Sequence, residues 1–213
     1  EAALPRMIDT VIGCALAWFG VSFIFPDWKF RRLSRTINRS LTAQCDYLAE
    51  VIEHYKQGRN HGLKYRVVRR AAHNNDAEVA SLISTLATEP DFDPTQKALA
   101  FEFLCLNHTL LSYIAALGAH REKIQDQEVL KLLDLALEDI QGSLLKDEVP
   151  DLTAQNMLNT IRQRLSQNNE DDQKPLIVLQ QLSLMLSILN QLSRLKQSLS
   201  HDHDEKATEL ASL

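Results

Sequence analysis

An uninterrupted apolar run fills Val11–Phe25, fifteen residues without a charged side chain. Extended back to Pro5, the segment has about 20 residues, the length of helix that crosses ~30 Å of hydrocarbon. Pro26 ends the run, and Trp28 follows where the interfacial aromatic belt of a membrane helix belongs. The pattern predicts one transmembrane helix at the start of the chain, ending by residue 27.

Beyond residue 27, apolar residues recur at steps of three, four and seven, which is the spacing of amphipathic helices. Glycines, prolines and short polar runs interrupt the pattern and mark helix ends. The predicted helices cover 28–57, 63–88, 94–118, 126–146, 151–167 and 175–199. No sustained alternation of apolar and polar residues is present. The expected fold class is therefore all-α, with one N-terminal transmembrane helix followed by a cytoplasmic multi-helix bundle.

Two of these helices are predicted to form the middle of the bundle. The helix over 94–118 is apolar on nearly every side and is expected to be the central element. The helix that begins at Pro175 is long enough to span a bilayer, but Gln180, Asn190 and Arg194 would each be costly there. It is therefore interpreted as a core helix, and the polar residues after it as a tail.

Charge is distributed unevenly along the chain, whose formal net charge is −5. Residues 29–70 carry eleven Lys or Arg against three acids, a net of +8, whereas residues 71–213 carry a net of −11. The densest basic cluster directly follows the apolar segment. Basic residues flank membrane helices on the cytoplasmic side, so the bundle is expected to lie in the cytoplasm.

The basic cluster is predicted to contact anionic lipid headgroups. Each Lys or Arg near an anionic leaflet contributes about 1 kcal/mol, and the attraction fades over a Debye length of about 8 Å. The candidate membrane-interface residues are Trp28, Lys29, Arg31, Arg32 and Arg35. Arg39 lies ~20 Å from Phe25 along a straight helix and feels little unless the chain bends at Pro26. Alternatively, the distal arginines pair with the acidic remainder of the domain.

Two other interpretations of the apolar segment fit less well. A signal peptide places its basic residues before the apolar core, whereas here Glu1 and Asp9 come first and the arginines last. A buried helix of a soluble protein has a similar apolar run, but it does not account for Trp28 and the arginines after it. Because the chain begins with Glu1 rather than Met, we expect a longer chain upstream.

A second basic group comprises Lys64, Arg66, Arg69 and Arg70. If the connection 58–62 is a hairpin, we expect both basic groups to lie at the same membrane-proximal end. Nucleic acid is the other anionic candidate, but only Tyr65 is interleaved with these residues for base stacking, and no binding module is visible. The sequence therefore predicts no nucleic-acid partner.

The sequence contains no recognised motif for catalysis or cofactor binding, such as a phosphate-binding glycine loop or HExxH. It predicts no enzyme, no catalytic residue, no cofactor and no metal. His201 and His203 stand in a terminal HDHD run that could hold a metal but is more often a solvated tail. Cys14, Cys45 and Cys105 are far apart, and we expect buried or membrane-facing thiols rather than disulfides.

Two histidines lie beside other polar residues on predicted helices. His108 follows Asn107 on the most apolar helix and is expected to be a hydrogen-bonded core histidine rather than a general base. His73 precedes the polar run 74–76, which indicates either a buried network or a subunit contact.

The segment PRMIDTVIGCALAWFGVSFIFPDW resembles the last transmembrane helix of the fusaric-acid-resistance-like (FUSC) family of bacterial inner-membrane proteins, particularly its YccS/YhfK branch. The residues that carry the resemblance are Arg6, Asp9, Thr10, Gly13, Ala17, Trp18, Pro26 and Trp28. The helical region that follows is similar to the cytoplasmic C-terminal region of that branch. The resemblance implies that 1–27 is the last transmembrane helix of a larger membrane domain, 28–200 a cytoplasmic helical domain and 201–213 a polar C-terminal tail.

Members of the family are thought to be efflux transporters related to aromatic-acid exporters. The resemblance implies the C-terminal portion of an exporter of small organic acids in the bacterial inner (plasma) membrane. Its helical domain would serve assembly or regulation, and its expected partners are the remaining transmembrane helices and a second copy in a homo-oligomer. The alternative is a membrane-tethered interaction or regulatory module without transport activity.

Arg6, Asp9 and Gly13 are the candidate residues of a transport pathway. Arg6 and Asp9 lie three residues apart on one helix face, where opposite charges can pair and where ionisable groups in membrane helices often mark a pathway. A pair that only anchors the helix is the simpler alternative. Gly13 would let another helix approach closely, and this is first of all a role in helix packing rather than in transport.

Overall fold

The computed structural model describes residues 3–20, 28–58, 62–89, 92–119, 122–146, 152–166 and 173–211. Within these ranges the chain forms helices and no strand, which confirms the all-α class. The helices are α1 (Ala3–Phe19), α2 (Trp28–Gln57), α3 (Leu63–Ala87), α4 (Pro94–Ala119), α5 (Gln127–Leu145), α6 (Leu152–Ser166) and α7 (Gln173–Ala211). The bounds predicted for α2–α6 agree to within one residue. The bend predicted at Pro26 lies outside the described residues.

Helices α2 and α3 form an antiparallel hairpin. Lys64, at the start of α3, contacts Glu50 near the end of α2 at 2.5 Å, and Glu78, farther along α3, lies 3.8 Å from Arg39. Gly58 ends α2 with a φ of 93°, a backbone conformation that glycine adopts without steric cost. The hairpin therefore has its turn at Gly58 and its open end at Trp28, and we name the two ends of the bundle the Gly58 end and the Trp28 end.

The later helices continue to alternate between these ends. Tyr55 of α2 donates a hydrogen bond to the Leu117 carbonyl at 2.7 Å, so α4 finishes at the Gly58 end. Asp126 follows the end of α4 by a short connection and directly precedes α5, so α5 begins at the Gly58 end. Arg164, near the end of α6, pairs with Asp126 at 2.8 Å, so α6 finishes at the same end. Lys196 of α7 donates to the Leu144 carbonyl at 2.8 Å, so α5 and α7 both run towards the Trp28 end. The result is an up-and-down bundle of α2–α7.

The core of the bundle uses the apolar stripes that the sequence indicates. On α2 the buried stripe comprises Leu33, Ile37, Leu41, Leu48, Ile52 and Tyr55. On α4, Phe103 and Leu110 are buried, whereas Phe101 is 41% exposed, so only part of this apolar helix faces the core. Full burial of each such side chain stabilises the fold by about 1.5–3 kcal/mol.

Two described helices, α4 and the Pro175–Ser200 part of α7, have the length and composition needed to cross a membrane. Core helices of soluble bundles often have the same properties. Phe103 of α4 and Met185 and Leu189 of α7 are buried in the bundle, and α4 and α7 pack on each other. Their packing fits the core role predicted for both helices.

Helix α7 is longer at both ends than the sequence pattern predicts. It begins at Gln173, two residues before Pro175, and it continues to Ala211, through most of the expected tail. After Pro175 the chain has no glycine or proline, and Ala, Glu, Lys and Leu are good helix formers. The backbone is therefore helical where a polar coil was expected.

Candidate membrane-facing helix and polar contacts of the bundle

Helix α1 presents an apolar surface that no described part of the bundle covers. It makes no packing contact with any of α2–α7. Its large apolar side chains are 52–70% exposed: Met7, Ile8, Val11, Ile12, Leu16, Trp18 and Phe19. Complete removal of such a side chain from water is worth about 1.5–3 kcal/mol, and soluble monomers rarely expose so many side by side. The helix therefore needs a bilayer or an apolar protein surface around it.

The three pathway candidates lie on this helix. Arg6 and Asp9 are both exposed, and no ion pair joins them in the described structure. The Thr10 hydroxyl donates to the Arg6 carbonyl at 2.8 Å, an ordinary contact within one helix. A Cβ added at Gly13 would meet no atom within 4 Å, so the surface there is open to another helix. The structure brings none of the three against the bundle.

The candidate membrane-interface residues lie in the first turns of α2. Arg32 and Arg35 are exposed. The backbone of α2 includes Trp28, Lys29 and Arg31, whose side chains lie outside the described part of the structure. Arg39 and Glu78 are 61% and 41% exposed, and their separation of 3.8 Å makes a weak surface pair. One distal arginine thus contacts the acidic remainder of the domain, as the alternative interpretation expects.

The second basic group does not lie at the Trp28 end, and the expectation that both groups share one end is wrong. An antiparallel hairpin places the start of α3 beside the end of α2, which is where Lys64 meets Glu50. Glu50 is 22 residues after Trp28, or about 33 Å along a helix. Arg66, Arg69 and Arg70 are exposed near the Gly58 end.

A buried polar network joins α2, α3 and α4. Asn107 has no exposed surface, and its side-chain amide donates to Asp76 Oδ1 at 2.7 Å and to Ser40 Oγ at 3.2 Å. Gln44 is also fully buried and donates to Asn107 Oδ1 at 3.0 Å. His108 Nδ1 lies 2.9 Å from Asp76 Oδ2. Of the two interpretations of the polar run 74–76, the buried network is the one observed for Asp76.

His108 differs from the prediction in its position. It is hydrogen-bonded as expected, but its side chain is 68% exposed and is not part of the core. Neighbouring residues on a helix point about 100° apart, so the burial of Asn107 turns His108 outwards. The sequence did indicate Asn107, His108 and Asp76, but it gave no sign of Ser40 and Gln44, which interrupt the apolar stripe of α2 as i, i+4 neighbours.

A second cluster of polar contacts surrounds Gly118 at the Gly58 end. The hydroxyls of Tyr47 and Tyr65 are 3.0 Å apart, and each lies 2.9 Å from the position that a Cβ on Gly118 would occupy. Glycine at this position allows α4 to approach both tyrosines. Nearby, the buried Glu50 carboxylate contacts Lys64, and its hydrogen bond and negative charge raise the pKa of Lys64 above the ordinary 10.5.

The cysteines are only partly placed as predicted. Cys14, Cys45 and Cys105 are all free thiols. Cys45 is buried, and burial, with a smaller effect of Asp46, raises the pKa of its thiol to about 12. Cys105 is exposed on α4, so it is not a buried thiol.

Within the described residues, no group of three or more His, Cys, Asp or Glu side chains is arranged to hold a metal ion. The side chains of His201 and His203 lie outside the described part, although α7 includes their backbone. The polar contacts of the bundle thus connect helices to each other, and the network at Asn107 fixes how α2, α3 and α4 are aligned.

Comparison with known proteins finds bacterial relatives, one of which is an inner membrane protein. Inner membrane protein YccS of Escherichia coli (strain K12) is 44% identical over 202 residues, which are 94% of this chain and 28% of that protein. An uncharacterized protein of Haemophilus influenzae is 38% identical over 125 residues, 59% of this chain and 17% of that protein. Uncharacterized protein ORF2 of Neisseria gonorrhoeae is 41% identical over 91 residues, 42% of this chain and 22% of that protein.

The chain spans 28% or less of the length of each of these relatives. No protein-family model and no solved structure matches it. The match to the inner membrane protein covers 94% of the chain, so it is not confined to the bundle.

Proposed function

Because the chain belongs to the YccS branch of the FUSC family, we propose that it is part of a bacterial inner-membrane efflux transporter for small organic acids. Aromatic acids are the first substrate class to test. Helix α1 would be a membrane helix packed among the remaining transmembrane helices of the protein. The bundle of α2–α7 would be a cytoplasmic domain that serves assembly or regulation.

The uncovered apolar surface of α1 is the observation that carries this proposal. Seven large apolar side chains exposed on one helix are costly in water and favourable in a bilayer. Arg32 and Arg35, exposed in the second turn of α2, would then lie near anionic headgroups. Arg6 and Asp9 would be buried among membrane helices or would pair there, and a charged group in that position is usually functional.

The orientation of the bundle can be tested through its one exposed thiol. With every other cysteine of the protein replaced by Ser, including Cys14 and Cys45, Cys105 remains, and it is exposed on α4. A membrane-impermeant maleimide should label it in inside-out vesicles and not in intact spheroplasts. Labelling in intact spheroplasts would contradict a cytoplasmic bundle.

Transport itself requires an efflux assay of the intact protein in its membrane. We expect Arg6→Ala and Asp9→Ala to reduce export of a labelled aromatic acid, while Arg162→Ala, which removes an exposed arginine from α6, should leave it unchanged as a matched control. Deletion of residues 29–213 would show whether the bundle is needed. Full export by both α1 variants would remove Arg6 and Asp9 from the pathway.

The exposed arginines of α3 favour a second candidate function, a tethered interaction module without transport activity. Arg66, Arg69 and Arg70 make no ion pair in the described structure, and unpaired charges on a helix face suit the docking of a partner. A protein that exports none of the organic acids offered, yet needs these arginines for its effect in cells, would support this candidate over the transporter.

A further inference from the structure

The outer side of α3 near the Gly58 end combines basic and apolar side chains. Arg66, Arg69 and Arg70 are exposed, and Leu63 and Val67 between them are 73% and 55% exposed. Residues three and four apart share a helix side, so these five side chains form one continuous surface, which we call the α3 face. The two aliphatic side chains gain free energy when they leave water, and the arginines, which make no ion pair in the described structure, can pair with an acidic surface.

Two anionic partners fit this surface poorly. Tyr65 is only 7% exposed and is hydrogen-bonded to Tyr47, so no aromatic ring is free to stack on bases. Lys64, which adjoins the α3 face, contacts Glu50, about 33 Å along α2 from Trp28. If α2 stands upright on a membrane at the Trp28 end, the start of the α3 face lies several Debye lengths from the lipid headgroups. The headgroups would then attract the α3 face only weakly.

A complementary surface lies on α5 of the same chain. Leu135 is 37% exposed, Glu138 is exposed, and the Asp134 side chain is 45% exposed although it also contacts Lys56 at 2.7 Å. Lys131 is exposed one turn before Leu135. We call these four residues the α5 face. Residues 127–145 carry four acids and one lysine, a net of −3, against +4 for residues 63–70.

The two faces match in spacing as well as in charge. Both α3 and α5 run from the Gly58 end to the Trp28 end, so two copies standing upright in one membrane hold these helices parallel. With Val67 opposite Leu135, the same offset places Arg70 opposite Glu138. It also places Leu63 against the aliphatic stem of Lys131. The remaining arginines flank this line and attract the acidic helix as the copies approach.

We propose that a second copy of the chain occupies the α3 face through its α5 face. The contact is heterologous, since each copy offers one face and accepts the other, and such contacts build rings when the rotation closes. The parallel arrangement rests on the proposed membrane function, whereas the complementarity of the two faces does not. The bundle would then hold neighbouring copies of the membrane protein together.

Cysteine cross-linking in the intact membrane protein tests the pairing directly. One tagged copy carries Val67→Cys and a differently tagged copy carries Leu135→Cys, with Cys14 and Cys105 replaced by Ser and Cys45 left buried. A short thiol cross-linker should join the two copies. Ser81→Cys paired with Leu135→Cys is the control, because Ser81 is exposed on the same helix about 21 Å away. Equal cross-linking of both pairs, or of neither, would overturn the proposal.

A charge exchange separates a specific contact from misfolding. Arg70→Glu and Glu138→Arg should each lower the cross-linked fraction by about fivefold, and the two together in one chain should restore it. Lack of restoration, with thermal unfolding unchanged, overturns the pairing, as does a native mass of a single copy in detergent.

Cross-links to a different protein, or protection of Val67→Cys by anionic vesicles, would show another occupant and likewise overturn it. If Cys105 labelling still reports a cytoplasmic bundle, the failure concerns the pairing alone and leaves the proposed function intact.

Discussion

Asn107 donates a hydrogen bond from its side-chain amide to Asp76 Oδ1 at 2.7 Å, at a site where Asn107 itself has no exposed surface. The two residues belong to α4 and α3, and through Ser40 and Gln44 the same amide reaches α2. Buried polar groups cost free energy unless every partner is in place. A shift of one helix relative to the others would leave several of them unpaired, so the network specifies one alignment of three helices.

Replacement of Asn107 by Ala should therefore destabilise the bundle strongly. Asp76 and Gln44 would lose a buried partner, which costs about 2–4 kcal/mol and lowers the unfolding midpoint of a domain this size by about 5–10 °C. Thermal unfolding of the purified protein measures the shift. Asn74→Ala, which removes an exposed asparagine from α3, is the matched control and should change the midpoint by little. Equal midpoints for the two variants would contradict a structural role of the network.

The bounds of the helices follow from local signals in the sequence. Which side of α4 faces the core does not. Gly58 and Pro94 mark helix ends through backbone constraints that involve only neighbouring residues. On α4 nearly every side is apolar, so periodicity could not tell that Phe101 and Cys105 face outwards while Asn107 faces the core. Gln44 and Asn107 are 63 residues apart, and no local pattern links them.

The position of the second basic group could have been derived from the sequence by helix geometry alone. A short connection between two long helices returns the chain antiparallel, so the first residues of α3 must lie beside the last residues of α2. The first turns of α2 and of α3, which carry the two basic groups, therefore lie at opposite ends of the hairpin. The exposure of α1 could be inferred from its composition, whereas the lack of an ion pair between Arg6 and Asp9 could not, since three-residue spacing only permits one.

Gly118→Ala should destabilise the contact between α4 and the α2–α3 hairpin. The added Cβ would lie 2.9 Å from both the Tyr47 and the Tyr65 hydroxyl, and 3.3 Å from Val51. The resulting displacement costs about 1–3 kcal/mol, which outweighs the gain of up to about 1 kcal/mol in helix propensity. Thermal unfolding again measures the result. At Gly13, where a Cβ meets no atom within 4 Å, the same substitution should leave the bundle unaffected.

The ion pair between Lys64 and Glu50 gives the bundle a dependence on alkaline pH. The folded-state pKa of Lys64 is raised above 10.5, so its contribution is fully present below that pH and is lost as pH rises through the higher folded value. Lys64→Met should make the decline of stability above pH 10.5 shallower than in the parent protein. Lys123→Met removes an exposed lysine without an ion pair in the described structure and should keep the parental slope. Identical slopes for all three proteins would contradict the prediction.

Thiol chemistry should distinguish the two bundle cysteines in the folded protein. Burial raises the pKa of Cys45 to about 12, so at pH 8 it is both inaccessible and protonated, while Cys105 is exposed. A maleimide at pH 8 should modify Cys105 within minutes and Cys45 only after unfolding in denaturant. Mass spectrometry of peptides from native and denatured samples identifies the modified site. Rapid native labelling of Cys45 would mean that α2 opens far more readily than its packing suggests.

A charge introduced on α1 should show whether an apolar environment surrounds this helix. Leu16 is 67% exposed on α1, and Leu145 is 37% exposed at the end of α5. If a bilayer surrounds α1, Leu16→Arg costs up to about 3 kcal/mol on insertion, and the amount of protein in the membrane fraction should fall. Leu145→Arg places the same charge in water and should leave that amount unchanged. Quantitative immunoblotting of membrane fractions compares the two variants. Because the substitutions are chemically identical, a drop specific to Leu16→Arg reports what surrounds α1, and an unchanged level would show that α1 does not need an apolar surrounding.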